Sequence, residues 1–434
     1  MRYLDKPLRF LRSGRKKIKR KNTQIAKNNK PFRIVLNAVR RSRSKLNYYV
    51  SFYHLPTNES LVLFEAFWGK NYADSPKALY EAMLNDSKYD SFSFVWAFRN
   101  VEEGSRLVAE QDPNNRTQFV KYKSNEYYHA TATAKFFIRN ARIPVNIIKK
   151  KDQLHIQTWH GTPLKRLAHD ISVEGVSAKG SMKESRNKFD RDTKNYDFMI
   201  SPSAFATSKL SSAFALEKLG KKDIIVEQGY PRNDFLINAT PDQIAGIVKE
   251  LNLPRNKKVV LYAPTWREGQ HTIGLGYTYD LQLDFEKMKK QFSDEYVVLF
   301  RAHYHIANSF DFSKYDDFII NVSKYDDVNH LYVVSDILIT DYSSVFFDYA
   351  NLKRPILFFM HDLDHYKDVA RGFYLDLKDL PGPIARTEYE LYEYLSSLEE
   401  VSKQYADRYT AFNDRFNYLD DGHASQRVLE RIGL

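Results

Sequence analysis

The sequence predicts an α/β fold of two halves, each a parallel sheet wound by helical crossovers, with a cleft between them. Three observations carry this. From about residue 58, short apolar runs alternate with helical segments. The same rhythm restarts after a Pro-bounded helical stretch within 233–256. Five strand-like runs end in the polar turns WHGTPLK, GYPRND, APTWR, RAHYH and TDYSS, and ligands of such sheets sit beyond the carboxyl ends of the strands.

In the first half, SLVLFEAF reads as a strand and KALYEAMLND as a helix with Pro76 near its first turn. SFSFVWAF and FVKYKS read as strands, and YYHATATAKFFIRNA as helical. QLHIQTWHG and YDFMISPS are strands running into turns, AFATSKLSSAFA is helical, and DIIVEQGYPRND closes the half. PDQIAGIVKELNL then forms a helix ended by Pro254. In the second half KKVVLYAPTW, EYVVLFRAHYH, DFIINVS, DILITDYSS and RPILFF are strands, with FEKMKKQF and DVNHLYVVS helical. From about 387 the chain reads as helices. The division expected is a basic arm and accessory segment over 1–57, a first Rossmann-like domain over 58–240 and a second over 241–434. Within the accessory segment, 33–55 reads as one or two strands.

The 434 residues are 43% hydrophobic and 28% charged, a globular composition large enough for two cores. Aromatics reach 15%, which either fills those cores or builds sugar- and base-stacking surfaces. The absence of cysteine excludes disulfides, thiolate metal sites and thiol catalysis. Residues 1–30 carry 12 Lys and Arg against one acid, Asp5, whereas the remaining 404 carry 54 basic and 53 acidic groups. The body is therefore nearly neutral, which argues against nucleic acid as the partner. The arm lacks the apolar core of a secretory signal. Its Leu4, Leu8, Phe10 and Leu11 among dense basic residues suit an anionic membrane face; a solvated tail is the plainer alternative. No run is long and apolar enough for a spanning helix.

The central stretch is Asp336 to Phe359, DILITDYSSVFFDYANLKRPILFF. A buried strand ends at Thr340, Asp341, Ser343 and Ser344 and leads into a helix. Hydroxyls at a helix start suit an anion, and equally suit ordinary capping. His160 and Gly161 lie in QTWHGTPLK, with Lys165 as a nearby cation. An imidazole at a strand end is a candidate general base, since it titrates near neutrality. In FRAHYH, Arg301, His303 and His305 can share one side of an extended segment as substrate-binding residues, with Arg301 and His303 facing a diphosphate; two His at this spacing can also bind metal, but no third ligand of the right spacing is evident. Arg267 follows Pro264 and Thr265 in YAPTWR and suits bidentate phosphate contact. Arg232, Asn233 and Asp234 in GYPRND either bridge the halves, touch the ligand or form a structural turn. The Asp190–Asp192 and Asp362–Asp364 pairs have a spacing that chance also supplies, and neither sits cleanly at a strand end. No metal or other cofactor is expected. P-loop and dinucleotide fingerprints are absent.

With these residues in place, the chain resembles the CDP-glycerol glycerophosphotransferase family, the teichoic acid primases and polymerases. The resemblance runs from FEAFWGKNYADSPKALYE (64–81) to RGFYLDL (371–377) through WHGTPLK, GYPRND, LYAPTWR, RAHYH and TDYSSVFFDYANLKRPILFF. It implies a GT-B-like fold, two Rossmann-like domains facing a central cleft, with C-terminal helices. It implies transfer of an alditol phosphate from CDP-glycerol or CDP-ribitol to a hydroxyl of an undecaprenyl-diphosphate-linked or polymeric acceptor, releasing CMP. His160 is then implied as the catalytic base, His303 at the donor diphosphate, and Arg267, Ser343 and Ser344 around the donor phosphates. It further implies a peripheral protein of the cytoplasmic membrane face; the basic arm over 1–30, outside the matched stretch, agrees with this and is expected to meet the anionic surface. Two rivals stand beside this reading: a nucleotide-sugar glycosyltransferase on the same scaffold, and a non-catalytic RNA- or membrane-binding protein driven by the arm.

Overall fold

A computed structural model describes residues 29–109, 111–171, 182–265, 271–272, 276–277, 283–302, 312–364 and 372–434. The first half holds β1 (Asn58–Glu65), β2 (Ser93–Phe98), β3 (Thr117–Lys121), β4 (Ala134–Arg139), β5 (Leu154–Gln157), β6 (Phe198–Ser201) and β7 (Ile225–Glu227). They form one parallel sheet in the order β3-β2-β1-β4-β5-β6-β7. The second half begins with β8 (Lys258–Ala263), followed by a short antiparallel pair, β9 (His271–Thr272) and β10 (Gly276–Tyr277). It continues through β11 (Tyr296–Phe300), β12 (Ile319–Asn321), β13 (Ile337–Thr340), β14 (Ile356–Phe359) and β15 (Ile384–Ala385). These give a second parallel sheet, β12-β11-β8-β13-β14-β15. In both, the first strand lies mid-sheet and the chain reverses beside it, so β1/β4 and β8/β13 are the switch points where a crevice opens. The expected α/β class of two Rossmann-like halves is the observed one.

The strand sequences explain their places. YVVLF of β11, ILIT of β13 and ILFF of β14 are buried along their whole length, the continuous apolar pattern of strands covered on both faces. Helix starts are specified locally: Thr240 and Gln243 form a reciprocal capping box on helix Pro241–Glu250, with Pro241 at its first position. Much of the aromatic content fills cores. Trp96 stacks on Phe64 and Phe98, each at 5.5 Å, with Tyr80 edge-on at 5.6 Å.

Three expectations change. Residues 33–55, read as strands, form helix Lys30–Tyr48 continued by a π-type turn over Tyr49–Tyr53. The β-branched and aromatic residues suggested extension, but Asn29 caps the helix by accepting from Phe32 N at 3.0 Å, and Pro31 suits its first turn. YYHATATAKFFIRNA, read as one helix, is helix Asn125–Thr133 followed directly by β4. Periodicity does not separate a short buried strand from a buried helix. The edge strand β15 was not foreseen.

The last helix, Ala424–Arg431, crosses back. Val428, Leu429, Ile432 and Leu434 pack in the core of the first sheet. The two halves are tied at several other points. Lys77 Nζ meets Asp327 Oδ2 at 2.8 Å, and Asp326 accepts from Asn71 and from Tyr72 N. Arg166 N donates to Gly372 O at 2.9 Å, and Tyr374 N to Leu164 O at 2.8 Å.

Candidate active site

The turn after β5 carries His160 and Gly161 and meets the turn after β13 across the cleft. Gly161 has φ +155°, and a Cβ built there would lie 3.1 Å from Ser344 Oγ and 3.7 Å from Arg232 Nη2. At this φ a side chain is strained, and its Cβ would press on the Ser344 hydroxyl. The WHGT, PRND and TDYSS turns therefore converge on one spot.

His160 stands open to the cleft but in a recess walled by protein. Its ring stacks on Trp159 at 4.3 Å and faces Phe67 at 6.1 Å. Its Nδ1 lies 2.9 Å from the Asn140 carbonyl oxygen. A carbonyl only accepts, so Nδ1 carries the proton and Nε2 keeps its lone pair. Burial lowers the His160 pKa below the ordinary imidazole value, against the opposing pull of the Asn140 carbonyl and Asp74. The imidazole is thus neutral at pH 7, the state a general base requires.

Asn140, just past β4, organises this recess. Its Oδ1 accepts from Phe67 N at 2.8 Å, and its Nδ2 donates to Asp74 Oδ2 at 2.8 Å. Asp74 is buried in a left-handed conformation, φ +66°. Its Oδ1 accepts from Ser75 N at 2.6 Å and from Arg232 Nη1 at 3.2 Å. Arg232 reaches the other way to Asp348 Oδ2 at 2.7 Å. Arg232 thus bridges the two halves, one of the roles open to GYPRND. Asn233 Nδ2 donates to Asp348 Oδ1 and to Asp420 Oδ2 at 2.6 Å. Asp234 instead accepts from Ala424 N and Ser425 N, capping the last helix away from the cleft.

In the second half, Thr340 is fully buried and its hydroxyl donates to Ala263 O at 2.8 Å. Asp341 Oδ1 accepts from Thr265 N at 2.7 Å and Tyr342 N at 2.6 Å. These two residues lock the turn after β13 to the Pro264–Thr265 turn after β8. Ser343 and Ser344 are half-buried, and Ser344 precedes a helix of only five residues, Val345–Tyr349, without capping it by its side chain. Arg301 Nη1 donates to Val322 O at 3.1 Å and Tyr325 O at 2.8 Å, so it braces the loop after β12. Lys165 is half-buried and bridges backbone-to-backbone with Phe373. Arg267, His303 and His305 lie outside the described residues.

The Asp-x-Asp pairs have structural partners. Asp190 meets His169 at 2.5 Å, Asp192 meets Arg191 at 2.9 Å, and Tyr342 donates to Asp362 at 3.0 Å. Among the described residues no group of three or more His, Asp or Glu could hold a metal ion. Sequence reading passed over Asp74, Asn140 and Asp348. The one available signal was Asp348, a lone carboxylate inside the apolar run VFFDYA.

Residues 47–434 match the CDP-Glycerol:Poly(glycerophosphate) glycerophosphotransferase family. The teichoic acid poly(glycerol phosphate) polymerase of Staphylococcus epidermidis is 42% identical over 411 residues, 93% of this chain and 55% of the polymerase. The teichoic acid glycerol-phosphate transferase of Staphylococcus aureus is 38% identical over 379 residues, 86% of this chain and 93% of the transferase. The chain thus spans about half the length of the S. epidermidis polymerase and nearly all of the S. aureus transferase. Among solved structures, the wall teichoic acid polymerase TagF superposes with TM-score 0.80 at 40% identity, covering 95% of this chain and 96% of that one. A histidine-to-asparagine variant of TagF soaked with CDPG superposes with the same TM-score over 93% of this chain and 96% of that one.

Proposed function

The chain belongs to the CDP-glycerol:poly(glycerophosphate) glycerophosphotransferase family, and from that premise we propose that it transfers glycerol phosphate from CDP-glycerol to a hydroxyl of a membrane-linked teichoic acid acceptor, releasing CMP. The observation that carries the reading is the meeting of the His160–Gly161 turn with Ser344 across the cleft, 3.1 Å from a Cβ on Gly161. The turn that carries the base in one half abuts the hydroxyl-bearing turn of the other. In the reaction, His160 Nε2 takes the proton of the acceptor hydroxyl. The freed oxygen attacks the β-phosphorus of the donor in line. The bond from that phosphorus to the bridging oxygen breaks, and the oxygen leaves with CMP. Ser343, Ser344, Arg267 and His303 hold the donor phosphates, and Arg301 supports the segment leading to His303. Such transfer depends mostly on positioning and charge stabilisation. Asp74, Asn140 and Arg232 keep the base in its recess.

The protein acts at an anionic membrane face. Residues 1–30 supply the charge, and helix Lys30–Tyr48 supplies a surface. Tyr48 is buried against the body, while Val35, Val39, Leu46 and Val50, on the opposite side of the helix, are 58–64% exposed. Arg43 and Arg40 lie on one flank of that stripe and Lys45 toward the other. An apolar stripe rimmed by cations suits the headgroup boundary. Among the described residues no helix is long and apolar enough to cross a membrane.

Incubation with CDP-glycerol, CDP-ribitol and UDP-sugars in the presence of a lipid-linked glycerol phosphate acceptor tests the reading. CMP release from CDP-glycerol is expected; UDP release alone identifies a glycosyltransferase and overturns it.

A further inference from the structure

We propose that the surface formed by Trp68, Lys70, Arg99 and Lys123, which leads from the His160 recess along the ends of β1, β2 and β3, binds the phosphodiester chain of the acceptor. The inference deepens the reading above and rests on it: an acceptor that already carries glycerol phosphate units is a polyanion with polyol carbons between its charges.

The loop after β1 is built to present side chains. Phe67, Trp68 and Gly69 are all left-handed, with φ +47°, +59° and +72°. Three such residues in succession hold only where surroundings fix them. Here Asn140 holds Phe67 N at 2.8 Å, Arg99 Nε holds Trp68 O at 3.0 Å, and Arg99 N donates to Gly69 O at 2.6 Å. A Cβ on Gly69 would lie 2.9 Å from Ala97 O, so the loop is clamped against β2. The result sets Phe67 6.1 Å from His160 and leaves Trp68 39% exposed, an unusual position for so large an apolar ring.

Cations stand on the loops that follow β1, β2 and β3. Lys70, Arg99 and Lys123 are exposed. Arg99 and Lys123 both lie over the Tyr122 ring, at 5.6 and 5.1 Å from its centroid. Beneath them, Glu65 is fully buried and paired with Arg139 at 3.3 Å, so the charges at the ends of β1 and β4 cancel. The neighbouring acids Glu102, Glu103 and Glu126 lie in the first turns of helices, and Asn100 engages Glu103 at 2.9 Å. The surface therefore combines an aromatic face for polyol C–H groups with exposed cations for phosphates, and Phe67 joins its near end to the base that activates the terminal hydroxyl.

Initial rates of CMP release measured against acceptors with one glycerol phosphate unit and with several test this. For the full-length K70Q/K123Q variant, the KM for the longer acceptor should rise about tenfold, the loss of two exposed charge contacts. The KM for CDP-glycerol should stay at the wild-type value. W68A should raise the acceptor KM while its melting temperature stays unchanged. For the wild type, added salt should raise the acceptor KM more steeply for the longer chain. An acceptor KM unaltered in both variants and insensitive to salt overturns the proposal. Absence of CMP release by the wild type from CDP-glycerol would instead defeat the underlying reading.

Discussion

Arg232→Met tests how the two halves are held together. Arg232 is 7% exposed and bridges Asp74 in one half to Asp348 in the other, at 3.2 and 2.7 Å. Each contact, at an effective dielectric near 20, is worth about 4 kcal/mol before desolvation is counted. Methionine fills similar space without charge and leaves two buried carboxylates facing one another. Removing one partner of a buried pair costs about 3–5 kcal/mol, chiefly because a charge is stranded. At ~2–4 °C per kcal/mol, the melting temperature should fall by roughly 10 °C. The pH dependence of the deficit identifies its cause. Burial already raises the Asp348 pKa against the pull of Arg232. Without Arg232 it rises further, so the folded state binds more protons than the unfolded state. The variant then loses stability as pH rises and regains it as pH falls. Melting curves of wild type and variant from pH 7.5 to 5 should converge toward the acidic end. A difference below about 1 kcal/mol at pH 7.5, or one independent of pH, would refute the bridge as the load on this interface.

Three further outcomes follow from the same geometry. Because the His160 pKa is lowered by burial, the acidic limb of kcat/KM should fall below pH ~6.5, since a base with a lower pKa stays unprotonated to lower pH; a limb at or above that value contradicts the assignment. Gly161→Ala places a methyl 3.1 Å from Ser344 Oγ at a strained φ, and should lower the melting temperature by an amount corresponding to about 1–3 kcal/mol while CMP release falls more steeply than CDP-glycerol binding; wild-type rates in the variant would contradict the convergence of the turns. In helix Lys30–Tyr48, V39D/L46D should reduce co-sedimentation with anionic vesicles without altering the melting temperature, and unchanged vesicle binding would remove that surface from the membrane account.

Most of the architecture was legible because parallel sheets write themselves locally. A buried run such as ILIT followed by TDYSS announces both a strand and the turn that ends it. The family motifs marked which turns lie together, and the structure sets His160, Gly161, Arg232 and Ser344 at one place. What stayed hidden depends on distant partners. Asp74 reads locally as an ordinary helix start, yet it receives Arg232 from 158 residues away. Asn140 follows an apolar strand without any pattern around it, and its importance lies in three bonds to separate segments. The segment 33–55 misled for another reason: its apolar residues face outward, so the usual link between apolar pattern and core failed there.

Everything in the mechanism turns on the proton accepted by His160, and His160→Ala removes that acceptor alone. CDP-glycerol binding by calorimetry and CMP release with a lipid-linked acceptor should be measured on the same preparation. Donor affinity should be retained with transfer abolished; turnover at the wild-type rate would show that another group takes the acceptor proton.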